Sequence, residues 1–362
     1  MINRPRARAL ITFVALSLLC LLASCKRVPV ENVSFSGGLK CAKSGSLPKS
    51  ETPSCSSYQQ SDPLPDQPPP GAIRVAVGGD SRSDKSHILP WSFKEAKRRG
   101  AKAFFFLGDL EITAAKDKPF LSELPELGNI PFYPTMGNHE VDTFGILRGW
   151  NSESLEKVEK FKKEFHLTDP GVNLAPFPDT VVYSVDFGDK IHFIALDNVG
   201  RKGGGFGIGQ LAWFADDLSK ANTEKKVILV GMHKGLANNP VTSHAMDEDG
   251  SAAVDDSEAA VVLLKHYKAA LLFVSHSHMY AAYPQDKDGL LQVRLTGGMG
   301  APLVKDLAEA DGGFHHFLLV DVTLDDASVH VQVVKWPCKP PCTPCTPPCQ
   351  PSMSDTDEAM EH

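Results

Sequence analysis

The stretch Ala103-Phe104-Phe105-Phe106-Leu107-Gly108-Asp109-Leu110-Glu111 decides the fold. Residues 103–107 are all apolar and leave no polar face, so the segment reads as a strand covered on both sides. It stops at a glycine and a carboxylate, and ligands in open α/β sheets gather just beyond the carboxyl ends of such strands. Four other strand-like segments end the same way: residues 73–78 before Gly79-Asp80, 131–136 before Gly137-Asn138-His139-Glu140, 227–230 before His233, and 270–274 before His276-Ser277-His278. Each delivers an Asp, Asn or His.

Outward from these strands, helical and strand-like segments alternate. Helices are expected over 91–99, 152–165, 210–221 and 257–268, the last with Ser257 as its cap. Residues 180–186 and 190–196 flank Phe187-Gly188-Asp189 and predict a β-hairpin. Strands over 291–295, 317–322 and 329–334 close the pattern, which is that of an α/β layered fold. The polar stretch 234–256 is too long for a simple connector and, with the Gly203-Gly204-Gly205 loop, is a candidate wall for a substrate.

At 362 residues, 42% hydrophobic and 22% charged, the chain has enough apolar material for a large core. Its net charge of -7 provides no basic field for a nucleic acid, and none is expected as a partner. Arg4, Arg6 and Arg8 precede an apolar run over 9–22 that is short for a membrane span, the pattern of a secretory signal peptide. The run closes in Leu22-Ala23-Ser24-Cys25, which resembles the bacterial lipoprotein signal; the resemblance implies that Cys25 is lipidated. The expected organisation is a signal peptide over 1–24, a Pro/Ser-rich tether over 25–71, a folded domain over 72–336, and a Pro/Cys-rich, finally acidic tail over 337–362. Export and membrane anchoring through the lipid follow, with Lys26 favouring the outer membrane. Beyond Cys20 and Cys25, the six cysteines Cys41, Cys55, Cys338, Cys342, Cys345 and Cys349 read as disulfide-forming, with tetrahedral zinc as the alternative.

Carboxylates, an amide oxygen and imidazoles at consecutive strand ends form a donor set that Zn²⁺, Mn²⁺ and iron accept, and one carboxylate can bridge two ions. The ordered set Gly79-Asp80, Gly108-Asp109, Gly137-Asn138-His139-Glu140, Met232-His233 and Ser275-His276-Ser277-His278 resembles the calcineurin-like metallophosphoesterases, which include purple acid phosphatases. The resemblance implies a four-layered α/β/β/α sandwich, two metal ions (Mn, Zn or Fe), and hydrolysis of a phosphate monoester or diester by a metal-bound hydroxide. By the same resemblance Asp109 bridges the metals, Asp80 and His278 hold the first, Asn138, His233 and His276 hold the second, and His139 contacts the phosphoryl group and protonates the leaving oxygen. Glu140 is expected to orient a neighbour.

Two positions depart from that pattern. Many members have His two residues after the first Asp, and purple acid phosphatases have Tyr three residues after the bridging one; here these are Arg82 and Ile112. A guanidinium cannot ligate, so Arg82 is expected to pair with a substrate phosphate or with Asp80. Lys234 is expected to reach the substrate phosphate as well. Ser275 replaces the usual Gly before the final His pair. His244 reads as a solvated loop residue, His192 as structural, Glu111 as a support to the ligands, and His315 and His316 carry no assigned role. The alternative function is a non-catalytic surface lipoprotein that binds a phosphoryl ligand or a partner through a degenerate metal site.

Overall fold

Side-chain alternation along β2 (Phe104–Phe106) builds the layers. Phe105 stacks on Phe193 of β6 (Ile191–Ala195), with ring centroids 3.5 Å apart and planes 13° apart. Phe104 and Phe106 point the other way. They meet Phe93 of α1 (Ile88–Arg98) and Phe120 of α2 (Pro119–Glu123), each at 5.2 Å. A strand whose neighbours are a sheet on one side and helices on the other must be apolar at every position, as this one is. The structure is a computed structural model and describes residues 65–82, 84, 87–110, 119–140, 152–200, 204–323 and 325–336.

The first sheet has the order β12-β11-β1-β2-β3. In it β1 (Ala72–Gly78), β2 and β3 (Phe132–Pro134) run parallel, β11 (His316–Thr323) is antiparallel to β1, and β12 (Val329–Lys335) is antiparallel to β11. The second has the order β4-β5-β6-β7-β8-β10-β9, in which β6, β7 (Val227–Gly231), β8 (Leu271–Val274) and β10 (Gln292–Thr296) are parallel. At its edges lie β4 (Val172–Leu174), β5 (Tyr183–Phe187) and β9 (Tyr280–Pro284), all antiparallel to their neighbours. Residues of β6–β8 divide strictly by parity. Phe193, Leu229 and Phe273 join the core between the sheets, while Ile194, Val230 and Leu272 join a second core under α4 (Gly207–Thr223) and α5 (Ser251–His266). On the outer face of the first sheet, Phe165, just beyond α3 (Ser152–Glu164), packs with Phe120 and Phe132 and against Phe161 of the helix. Helices, sheet, sheet, helices: the four-layered sandwich expected from sequence is present.

Several boundaries differ from expectation. The helix expected from Ser257 begins at Ser251, after Gly250 with φ 95°, and Ser257 lies inside it, where its hydroxyl accepts from the Ala237 N–H at 2.9 Å. The stretch from Lys234 is accordingly shorter as a loop and carries a 3₁₀ turn, Met246–Asp249. The short strands β4 and β9 pair at sheet edges and lack a long apolar run to announce them. Cys25, the other cysteines, the tail, Glu111 and Ile112 lie outside the described residues. No described helix is long and apolar enough to cross a membrane.

The base of the domain is pinned by a buried ion pair. Arg74 and Asp321 face each other across β1 and β11; Nε and Nη2 donate to the two carboxylate oxygens at 2.6 and 2.7 Å, and Nη1 donates to the carbonyls of Pro65 and Arg99 at 2.9 Å. Both side chains are buried. Breaking such a pair leaves an uncompensated charge, so Asp321→Asn is expected to lower the unfolding free energy by about 3–5 kcal/mol in urea titrations. A second cluster, in which His192 and Asp217 are buried and Asp186 is exposed, is pH-sensitive. His192 lies between Asp186 (2.7 Å) and Asp217 (2.8 Å). Burial opposes its charge, but the bonds to the two carboxylates outweigh burial and raise its pKa above 6.5. The stabilisation is therefore complete below pH 6.5 and is lost as pH rises through the folded-state value. Urea stability should fall over that range in the wild type and fall less in His192→Phe.

Candidate metal centre

Five strands end at one place. Asp80 follows β1, Asp109 follows β2, Gly137 to Glu140 follow β3, His233 follows β7, and His276 and His278 follow β8. Chain reversal there is abrupt, and Asp80, Asp109 and His276 all take left-handed backbone conformations (φ 60°, 59° and 69°), which non-glycine residues adopt only at a cost. Glu140 holds the bend at Asp109. Its buried carboxylate accepts from the N–H groups of Asp109 and Gly137 at 2.8 Å and of Leu110 at 2.7 Å, the orienting role expected for it. Gly137 is required by proximity, since a Cβ there would lie 2.1 Å from Asp109 Oδ1.

The donor atoms converge. His233 Nδ1 donates to the Leu107 carbonyl at 2.7 Å, so its Nε2 carries a lone pair. That Nε2 lies 2.9 Å from Asn138 Oδ1, 3.4 Å from Asp109 Oδ1 and 3.2 Å from His276 Nδ1. Around Nε2 stand an amide oxygen, a carboxylate oxygen and a second imidazole nitrogen, a donor set that a cation accepts. Ligands at about 2.1 Å from a tetrahedral ion stand about 3.4 Å apart, matching these separations. On the other side of Asp109, His278 Nδ1 donates to the Pro302 carbonyl at 2.6 Å, which leaves its Nε2 facing Asp80 Oδ1 at 3.7 Å. Asp80 Oδ1 is buried and has no hydrogen-bond partner among the described residues. Asp109 thus belongs to two donor groups, one with His233 and His276 and one with Asp80 and His278.

Electrostatics agree with that reading. Burial, and Asp80 beside it, push the Asp109 carboxyl up to about 7, and burial raises Asp80 too. Burial lowers His233 to about 4 and holds His276 and His278 below the ordinary imidazole value. The imidazoles are kept neutral, as ligation demands, and two carboxylates are left with repulsion that a positive ion would cancel.

His139 donates its backbone N–H to Asp109 Oδ1 at 3.0 Å, and its Nε2 lies 3.8 Å from Asp109 Oδ2 with the side chain 29% exposed. Arg82 donates its backbone N–H to the Asp109 carbonyl at 3.0 Å, and its positive charge acts on both Asp80 and His278. Lys234 differs from expectation. Its ammonium donates to Asp249 Oδ1 at 2.7 Å and lies 3.8 Å from Glu248, so its charge is spent within the protein rather than offered to a phosphate. His244 also differs. Its ring stacks on His276, centroids 3.9 Å apart, and it contacts Glu248, whose other oxygen is 3.6 Å from His276 Nε2. An isolated His in a polar loop carries no signal of this; only loop closure brings it in. Asn198 also stands beside the site, without a role expected from sequence. It accepts from the Lys234 N–H at 3.1 Å and donates to the Lys234 carbonyl at 2.8 Å, fixing the chain beside His233. Its signal was available, since Asp197-Asn198 follows an apolar strand like the other site residues.

A model of the calcineurin-like phosphoesterase family matches residues 73–280, more than half of the chain. The chain belongs to the calcineurin-like phosphoesterase family. Membership bears out the expected class, a metal-dependent phosphoesterase, and the family's fold. Among solved structures, the purple acid phosphatase from seeds of yellow lupin (Lupinus luteus) aligns over 75% of this chain at 16% identity with a TM-score of 0.52, a likeness of fold. This chain spans 55% of the lupin enzyme's length. A dimetal phosphatase from Danio rerio aligns over 75% of this chain and 99% of its own at 13% identity, with a TM-score of 0.45. No curated protein matches the sequence.

Because Glu140 satisfies three buried N–H groups, the centre should depend on it even without metal. Glu140→Gln, which places an amide donor against one of them, is expected to cost about 2 kcal/mol of unfolding free energy in chelator-treated protein, measured in urea.

Proposed function

We propose that this phosphoesterase hydrolyses a small phosphate ester at a centre of two metal ions that share Asp109. Asp80 and His278 complete the first site, and Asn138, His233 and His276 complete the second. The observation that carries the reading is the membership of Asp109 in two donor groups, with His233 Nε2 turned toward Asn138 Oδ1 and Asp109 in one of them. When bound, the ions supply positive charge to the phosphoryl oxygens and acidity to a water molecule, so that a nucleophile exists near neutral pH.

The chain's own residues do the rest. His139, partly exposed beside Asp109, is assigned to contact the phosphoryl group and to deliver a proton to the departing ester oxygen. Arg82 adds a fixed positive charge next to Asp80 and is assigned to bind a phosphate oxygen, a role Lys234 is not given, because Asp249 holds its ammonium. Monoesters and diesters call on the same donors and differ only in the wall of the pocket. We further infer that the domain is exported and anchored at a bacterial membrane through Cys25, on the strength of the Leu22-Ala23-Ser24-Cys25 sequence.

Elemental analysis of protein purified without chelator should find about two metal ions per chain, and a chelator should abolish hydrolysis of chromogenic phosphate esters until Mn²⁺, Zn²⁺ or iron is restored. His139→Asn is expected to lower kcat by about 10²–10⁴-fold with metal content unchanged, whereas Asp109→Asn lowers both. Equal kcat for His139→Asn and wild type on an ester with a poor leaving group would remove His139 from its assigned role. Cys25→Ala should move the protein from the membrane fraction to the soluble one.

A further inference from the structure

The second sheet holds Asp80 with two donors, and only one of them is backbone. The His276 N–H donates to Oδ2 at 2.9 Å, and the hydroxyl of Ser275 donates to the same oxygen. Oδ1 receives nothing from the described residues and faces His278 Nε2 at 3.7 Å. A carboxylate turns about its Cβ–Cγ bond and presents one oxygen or both to a given side unless hydrogen bonds fix its rotation. Here rotation of the carboxylate away from this orientation would break both bonds, so one oxygen is held toward the second sheet and the other toward His278. The serine is itself fixed: it is 1% exposed, and its N–H donates to the His233 carbonyl at 2.8 Å. The neighbouring residue admits it, because a Cβ at Gly79 would lie 2.3 Å from Ser275 Oγ.

We propose that Ser275 is a positioning residue for the first metal ion, its hydroxyl locking Asp80 so that Oδ1 alone faces the group formed with Asp109 and His278. The inference rests on the metal centre proposed above. It matters most at this site, because Arg82 stands at a position whose guanidinium cannot ligate, and the few remaining donors must be well aimed. The group Asp109, His233 and His276 does not draw on Asp80, so an effect of Ser275 should be confined to one ion.

The test is a titration of metal-stripped full-length protein with Zn²⁺ in competition with a chromophoric chelator, repeated with Co²⁺ by its absorption spectrum. Wild type should bind two ions. Ser275→Ala should keep one unchanged and bind the other about 10–100-fold more weakly, the usual effect of removing a group that orients a ligand. Asp80→Asn should weaken the same ion and Asn138→Ala the other one, which assigns the sites. Ser275→Thr, which retains the hydroxyl, should bring the weakened affinity back toward wild type. Urea titration of metal-free Ser275→Ala, showing a cooperative transition, separates aim from misfolding. If Ser275→Ala leaves both affinities within about twofold of wild type, or weakens both equally, Ser275 does not position Asp80. If the wild type binds neither ion, the metal centre itself is wrong and this inference falls with it.

Discussion

Asp80 and Asp109 place two carboxylates in one buried junction, with oxygens within 4.8 Å of each other. At that separation two unit charges repel by about 3–4 kcal/mol even at an effective dielectric constant of 20, and burial adds to the cost of ionising either. Nearby, Glu140 is equally buried yet satisfied, because three backbone N–H groups point at it. The contrast shows where hydrogen bonding suffices and where it does not: Asp109 Oδ1 accepts from His139 and Asp80 Oδ2 from Ser275 and His276, while Asp80 Oδ1 has no donor among the described residues and faces an imidazole. A positive ion shared by the two carboxylates would relieve the repulsion that raises both of their pKa values. The donor set follows from this one constraint.

The junction exists because two sheets meet with their parallel strands ending on the same side. Stacking of Phe105 on Phe193 fixes the spacing of β2 and β6, and the sheets carry Asp80 and Asp109 from one layer to His233, His276 and His278 from the other. Left-handed bends at Asp80, Asp109 and His276 are each unfavourable by about 1–3 kcal/mol, and the packed strands behind them hold these bends in place. Stability in the core is thus converted into geometry at the edge.

Reading the sequence recovered what is periodic or punctuated. The strands from Phe104, Val227 and Leu271 were evident as apolar runs, and each ended in the polar residue that the structure brings to the centre. Elements without such a run were invisible: β4 and β9 are short edge strands whose partners lie elsewhere in the chain. α5 starts at Ser251 and not at Ser257, because Gly250 ends the preceding loop and the cap-like serine turns inward to Ala237.

The sequence by itself determined the identity and order of the converging donors, because largely apolar strands that stop at Gly-Asp or Gly-Asn-His-Glu deliver their polar residues at the strand ends. Tertiary structure alone decided how the charges around them are spent. Lys234 is adjacent to a site residue in sequence but is held by Asp249, fifteen positions away. His244 gains its place by stacking on His276, and Ser275 acquires its significance from Asp80 in the other sheet. Strand identity is a local property of side-chain pattern; the partner of a charge or hydroxyl depends on which distant segment folds over it.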